Sequence, residues 1–229
     1  SFIGVRSEAT LSERDGLAYW QGTAPAGAPT GIDPLKALRL SAAHLKSPKI
    51  AGLPPLTGGL VGFMGYDVVR RLERLPDLTT KDIPLPELSF ILTSDLAVLD
   101  HSDGTITLIA NAINWDGSDE RIDEAYESCV QRLDRMQADL STPLSGEAAA
   151  IPDFSLPDYI GNISGEQFKE NILKVKEEIL AGEAFQVVLS QRFAMPCQAD
   201  AIDVYRMLRL NNPSPYMYLF RFTDGIDIV

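Results

Sequence analysis

Only two cysteines and two histidines occur in 229 residues. Cys129 and Cys197 lie far apart with no metal-type spacing, and His44 and His101 stand alone, which excludes a zinc site or a disulfide framework as the organising device. Positive charge is scarce too. Against 32 Asp and Glu there are 20 Lys and Arg, a formal net charge of −12. Such a surface repels phosphate backbones, and nucleic acid is not an expected partner. The one basic doublet, Arg70-Arg71, stands beside Glu73 and Arg74 and reads as a solvated helix end. No apolar run is long enough to span a bilayer and no secretory signal opens the chain, so the expectation is a cytoplasmic protein away from membranes.

What is present is an ordinary globular composition, 45% hydrophobic, on a chain long enough to bury a substantial core. Ala9–Glu13 and Leu17–Trp20 flank Arg14-Asp15-Gly16 as a hairpin whose Asp-Gly pair suits a tight primed turn. Gly22–Pro34 reads as loop. Asp33-Pro34 then starts a short helix to about Leu45, with Leu35, Leu38 and Ala42 on one face.

The stretch Gly58-Gly59-Leu60-Val61-Gly62-Phe63-Met64-Gly65-Tyr66-Asp67 invites a phosphate-loop reading. Its spacing is not GxGxxG and no Gly-Lys-Ser/Thr closes it, so a strand with a bulge or a close backbone approach is the better reading. Leu88–Leu99 and Thr105–Ala112 form a second hairpin around Ser102-Asp103-Gly104. Ser118 is placed to cap a helix to about Leu140, with Ile122, Tyr126, Cys129, Leu133 and Met136 on its apolar face, which makes Cys129 a packing residue.

Residues 141–160 turn to Ser, Pro, Gly and Ala and read as a linker between an N-terminal subdomain, 1–140, and a second one, 161–229. Hairpins and helices without regular strand and helix alternation argue an α+β fold of antiparallel sheets flanked by helices. In the second subdomain Ser164-Gly165-Glu166-Gln167 matches a capping box, Phe168, Ile172, Val175 and Ile179 form a buried stripe, and Gly182 ends the helix. Phe185–Phe193 reads as a strand with one polar face carrying Gln186 and Ser190. Tyr216–Phe222 reads as another, turning at Thr223-Asp224-Gly225 into a short return strand, Ile226–Val229. That unfinished pairing, and an opening at Ser1–Val5 that already looks like strand interior, give the expectation of a fragment of a longer enzyme.

Three further segments carry a resemblance: Ile163–Phe168, Ile179–Arg192 and Asn212-Pro213-Ser214-Pro215-Tyr216-Met217. With Gly58–Asp67 and Val68-Val69-Arg70, in which Phe63 replaces a tyrosine of the family pattern, they resemble the chorismate-utilising enzymes, in particular the anthranilate synthase large chains. The resemblance implies a truncated chorismate-binding domain at 161–229. It also implies a parent enzyme that turns chorismate and ammonia into anthranilate and pyruvate with Mg2+, a glutamine amidotransferase subunit that supplies the ammonia, and feedback inhibition by L-tryptophan.

Residue by residue, Gln186 stands where relatives that add water carry a lysine. A neutral amide suits ammonia, which attacks without a base, so Gln186 is the candidate catalytic residue. Pro215, Tyr216 and Met217 match the family's tryptophan-binding segment, and a proline-stiffened apolar wall suits an indole ring. The other half of that site, a Leu-Leu-Glu-Ser motif, belongs upstream of Ser1, and the magnesium ligands belong beyond Val229. The chain has no metal ligands of its own on this reading and is expected to be inactive alone. Aminodeoxychorismate synthase, whose pattern is Asn-Pro-Ala-Pro-Phe, and a stand-alone amino-acid-binding regulatory module are the alternatives.

Overall fold

The computed structural model describes residues 1–114, 117–143 and 158–229. The chain divides into two compact units, Ser1–Ser145 with Phe220–Ile228, and Gly146–Leu219 with Val229. Most of the expected linker, 144–157, lies outside the described residues.

The first unit is built on an antiparallel sheet. Strands β1 (Phe2–Arg14) and β2 (Leu17–Gly22) form the first expected hairpin. Asp15 (φ 52°) and Gly16 (φ 78°) are both left-handed, as a primed turn needs, and the Gly16 N–H donates to Glu13 Oε1 at 2.6 Å. Helix α1 (Pro34–His44) starts where Asp33 Oδ1 accepts the Lys36 N–H at 2.8 Å. Then come β3 (Gly59–Met64), a 3-10 turn over Tyr66–Arg71, β4 (Leu88–Leu99), β5 (Ile106–Ala110) and helix α2 (Ile122–Ser141). The sheet order is β2-β1-β4-β3, and β5 continues along the same side of β4 beyond β3.

Gly62 shows why the glycine-rich stretch is a strand and not a phosphate loop. A Cβ there would stand 2.0 Å from the Ser89 carbonyl oxygen and 2.7 Å from Phe90 Cα, so only glycine lets β3 lie this close to β4. Directly opposed residues share a sheet face, and Gly62, Phe90, Leu11 and Trp20 form one such row. Leu11 and Ala18 close a buried cluster with Ala37 of α1, packed round by Trp20, Ile32 and Leu38, which fixes α1 on that face. Full burial of Leu11 and Leu88 contributes about 1.5–3 kcal/mol each.

Helix α2 differs from expectation at its start. Arg121 is left-handed (φ 61°) and provides no side-chain cap, while Ser118 lies outside the helix with its carbonyl accepting from Asn114 Nδ2 at 2.8 Å. A left-handed residue cannot continue a helix backwards, so the chain between Ser118 and Arg121 stays out of it. Of the expected apolar face only Met136 is buried; Ile122 and Tyr126 are exposed, because α2 rests on β5 alone among its stronger packing partners.

The second unit contains β6 (Ile160–Gly161), α3 (Gly165–Ala181), β7 (Phe193–Ala194) and α4 (Ala201–Asn211). Ser164 caps α3 by accepting the Gln167 N–H at 3.1 Å, and Gly182 (φ 86°) terminates it. The capping box is only half formed, since the Gln167 amide turns to Glu170 and Asn171 at 3.2 Å each. Phe168, Ile172, Val175 and Ile179 are not buried; they line an open groove of about 380 Å3 with Val187, Val188 and Leu189.

The strand expected over Phe185–Phe193 is realised only at its end. Phe193–Ala194 pairs with Ile160–Gly161, and Asn162 Oδ1 accepts the Arg192 N–H at 3.0 Å. Extended chain becomes a strand only beside a partner, and among the described residues no strand pairs with 185–191. Three consecutive residues, 187 to 189, line one groove, which strict alternation would forbid.

The chain then returns to the first unit as β8 (Phe220–Arg221) and β9 (Asp227–Ile228), antiparallel about the expected turn at Thr223–Gly225. The longer strand expected over Tyr216–Phe222 shrinks to two paired residues, since β9 supplies only two partners. Among the described residues no helix is long and apolar enough to cross a membrane.

Candidate functional site

The candidate wall follows directly from the end of α4. The Asn212 N–H closes the helix on the Leu208 carbonyl at 2.8 Å. Pro213 and Pro215 carry no donors, and the Tyr216 N–H is taken by Ser214 Oγ at 3.3 Å. Tyr216 is 89% exposed. Met217 is half-buried and Pro215 exposed, so all three are presented on a turn stiffened by two fixed φ angles.

Gln186 lies in the extended segment between Gly182 and β7. It is exposed, and its amide makes no hydrogen bond to a described residue. Gln186 and the Pro215–Met217 wall belong to the same unit, and no hydrogen bond or ring contact joins them. Lys176 is the one charged side chain in the wall of the neighbouring α3 groove.

Among the described residues no three of His, Cys, Asp and Glu come together in a way that could hold a metal ion. The described residues therefore do not form a site for a divalent cation such as magnesium.

Electrostatic order in the first unit centres on Arg71, which corrects the reading of Arg70-Arg71 as a solvated helix end. Arg71 Nε donates to Glu87 at 2.6 Å, its Nη1 to Asp33 at 2.7 Å and its Nη2 to the Gly16 carbonyl at 3.4 Å. One guanidinium therefore ties the β1–β2 turn, the cap of α1 and the entry to β4. Partial burial pushes the Asp33 carboxyl up, but the Lys36 N–H and the Arg71 guanidinium together hold it below its ordinary value. Arg70, by contrast, stays outside this hub on Asp67 (2.8 Å) and the Pro76 carbonyl (2.9 Å).

Sequence reasoning missed two features of this region. Helix α4 has its signals in plain view: Asp200 Oδ1 accepts the Ile202 N–H at 2.9 Å, and Ile202, Tyr205 and Leu208 recur at helical spacing. The docking of Phe222 has no local signal. Phe222 is buried and meets the Phe63 ring edge-on, with centroids 5.6 Å apart at 75°.

Comparison with known proteins gives a consistent picture. The profile of the chorismate binding enzymes matches residues 10–229. The anthranilate synthase component 1 of Mycolicibacterium smegmatis is 53% identical over 98% of this chain and 43% of its own length. That of Mycobacterium tuberculosis H37Rv is 49% identical over 98% of this chain and 44% of its own. In structure, the chain superposes on anthranilate synthase component I from Streptococcus pneumoniae TIGR4 with a TM-score of 0.78 and 25% identity, covering 98% of this chain and 48% of that one. The chain spans less than half the length of these relatives.

Proposed function

The chain belongs to the chorismate binding enzyme family, and from that premise we propose that it is the N-terminal part of an anthranilate synthase large chain. The observation that carries the reading is identity of 53% along 98% of the chain to a relative of that name. The proposed reaction joins chorismate and ammonia to give anthranilate, pyruvate and water, in the cytoplasm, as a step towards tryptophan. A glutamine amidotransferase subunit supplies the ammonia. Mg2+ is part of the proposal, with ligands contributed by residues outside this chain.

Within that reading Gln186 lies on the nucleophile's side of the ring. Ammonia carries its own lone pair at the attacking nitrogen and needs no general base, so a neutral amide is sufficient to orient it. Pro215, Tyr216 and Met217 form part of a tryptophan site distinct from the chorismate pocket. Its exposed, proline-stiffened geometry supports this, because a preorganised apolar wall orders little on binding an indole.

The test is product analysis on the full-length enzyme with chorismate, Mg2+ and ammonia. Anthranilate, detected by its fluorescence, is expected, and the 229-residue chain alone is expected to form none. Accumulation of aminodeoxychorismate instead would overturn the assignment.

A further inference from the structure

The extended segment that carries Gln186 is held at both of its ends by groups of its own unit. At the front, Gly182 (φ 86°) closes α3, with its N–H on the Ile179 carbonyl at 3.1 Å and the Glu183 N–H on the Glu178 carbonyl at 3.0 Å. At the back, Asn162 exchanges two hydrogen bonds with Arg192. Its N–H donates to the Arg192 carbonyl and its Oδ1 accepts the Arg192 N–H, each at 3.0 Å. Phe193 then pairs with Gly161 and meets the Tyr159 ring edge-on, with centroids 5.2 Å apart.

Gln191 is the last side chain of the segment before that clamp. It is half-buried, and its Nε2 donates to the Ile163 carbonyl at 3.0 Å. The backbone beside it keeps room for this bond. A Cβ on Gly161 would stand 3.1 Å from the same carbonyl oxygen and 3.3 Å from Gln191 Nε2, so a side chain there presses on both partners. Ile163 in turn directly precedes Ser164, the cap of α3. One amide therefore joins the end of the segment to the start of the helix with which Val187, Val188 and Leu189 line the groove. Between the two ends no backbone hydrogen bond joins residues 184–190 to a described residue. The course of the chain at Gln186 is thus set by those ends and by the apolar side chains that follow it.

We propose that Gln191 is a positioning residue for Gln186: its bond to Ile163 fixes the course of the segment, and with it the amide that orients ammonia. The inference rests on the reading of Gln186 as the group on the nucleophile's side of the ring. An orienting amide helps to the extent that its backbone is already fixed. With the bond cut, the segment must be ordered anew at each encounter, and the apparent affinity for ammonia falls by the cost of that ordering.

The experiment measures the apparent KM for ammonia and for chorismate in the full-length enzyme, with Mg2+ present and an ammonium salt as the nitrogen source. The variants are Gln186→Ala, Gln191→Ala, Gln191→Glu and the double variant of the two alanine changes. Loss of one hydrogen bond in Gln191→Ala is expected to raise the ammonia KM about fivefold while the chorismate KM stays at its wild-type value. Gln191→Glu keeps the size of the side chain but sets an acceptor against the Ile163 carbonyl, and it is expected to match or exceed that rise; it also decides the matter should the alanine variant fail to fold. The double variant is expected to be no worse than Gln186→Ala alone, because the bond acts only through Gln186. Asp200→Ala, which removes the cap of α4 in the same unit, is the stability control and leaves the ammonia KM unchanged. An unchanged ammonia KM in both Gln191 variants overturns the proposal. An equal rise in the chorismate KM, or in Asp200→Ala, overturns it too and marks Gln191 as a structural clamp. An unchanged ammonia KM in Gln186→Ala is a separate outcome: it refutes the reading of Gln186 itself and the positioning with it.

Discussion

Arg132 of α2 closes its guanidinium on the buried Asp95 carboxylate of β4, and the same group donates to the Asn111 carbonyl at 2.9 Å and to Cys129 Sγ at 3.1 Å. Asn111 in turn gives its amide to the Thr57 and Ser94 carbonyls at 2.7 and 2.8 Å. A single cation thus joins α2 to the central strand β4. Burial pushes the Asp95 carboxyl above its ordinary value, outweighing the charges of Arg132 and Arg6 that draw it down.

Removal of one partner follows from this. Arg132→Leu leaves a buried, unpaired carboxylate and is expected to cost about 3–5 kcal/mol at neutral pH. A carboxyl whose folded pKa is raised above the ordinary 3.8 favours folding below that value and loses the contribution as pH rises through the folded pKa. The stability gap between variant and wild type should therefore narrow as pH falls from 7 towards 4. Adding Asp95→Asn to the variant should recover most of the loss at pH 7. Urea titrations at several pH values decide it, and a gap that does not change with pH refutes the account.

Gly62→Ala tests the close approach of β3 to β4. With the Ser89 carbonyl 2.0 Å from the new Cβ, a side chain is accommodated only by parting the strands. A loss above about 2 kcal/mol is expected. Gly165→Ala, where nothing lies within 4 Å of the added carbon, should be neutral or slightly stabilising. Equal thermal shifts in the two variants would remove the steric reason given for this glycine.

How far the residues announced these features depends on whether the cause is local. Asp15-Gly16, Asp33-Pro34, Ser164 and Gly182 each carry their conformation in their own chemistry, and each element boundary they mark was legible. Phe185–Gln191 has strand composition but no paired strand among the described residues, and pairing is a property of two segments, not one. Arg71 and Phe222 failed to announce themselves for the same reason. Their partners Asp33, Glu87 and Phe63 are distant in the chain, and nothing in a doublet of arginines or a lone phenylalanine says which strand it will meet. Gln186 and Pro215–Met217 were singled out through resemblance and turn chemistry, and the fold presents Gln186, Pro215 and Tyr216 exposed and Met217 half-buried.

Gln186→Lys in the full-length enzyme tests the nucleophile's side of the proposed reaction. A lysine there introduces a group able to take a proton from water, which then competes with ammonia for the ring. Hydroxylated product beside anthranilate is the expected outcome, read by chromatography of the reaction mixture. Anthranilate alone, formed at the wild-type rate, would place Gln186 away from the chemistry.

Met217→Thr tests the tryptophan wall. The substitution removes polarizable contacts with an indole and adds a hydroxyl with no assured partner, together costing about 1–3 kcal/mol of binding. A loss of that size raises the inhibition constant roughly tenfold or more. Inhibition is read as turnover with tryptophan over turnover without it, at fixed chorismate, so a general loss of activity cancels from the ratio. The feedback site is separate from the chorismate pocket on this reading, and the coupling between two sites changes when the affinity of either is altered. An unchanged ratio in Met217→Thr would refute the assignment of this segment to tryptophan. A fall in uninhibited turnover with no change in the ratio would mark Pro215–Met217 as a structural turn between α4 and β8.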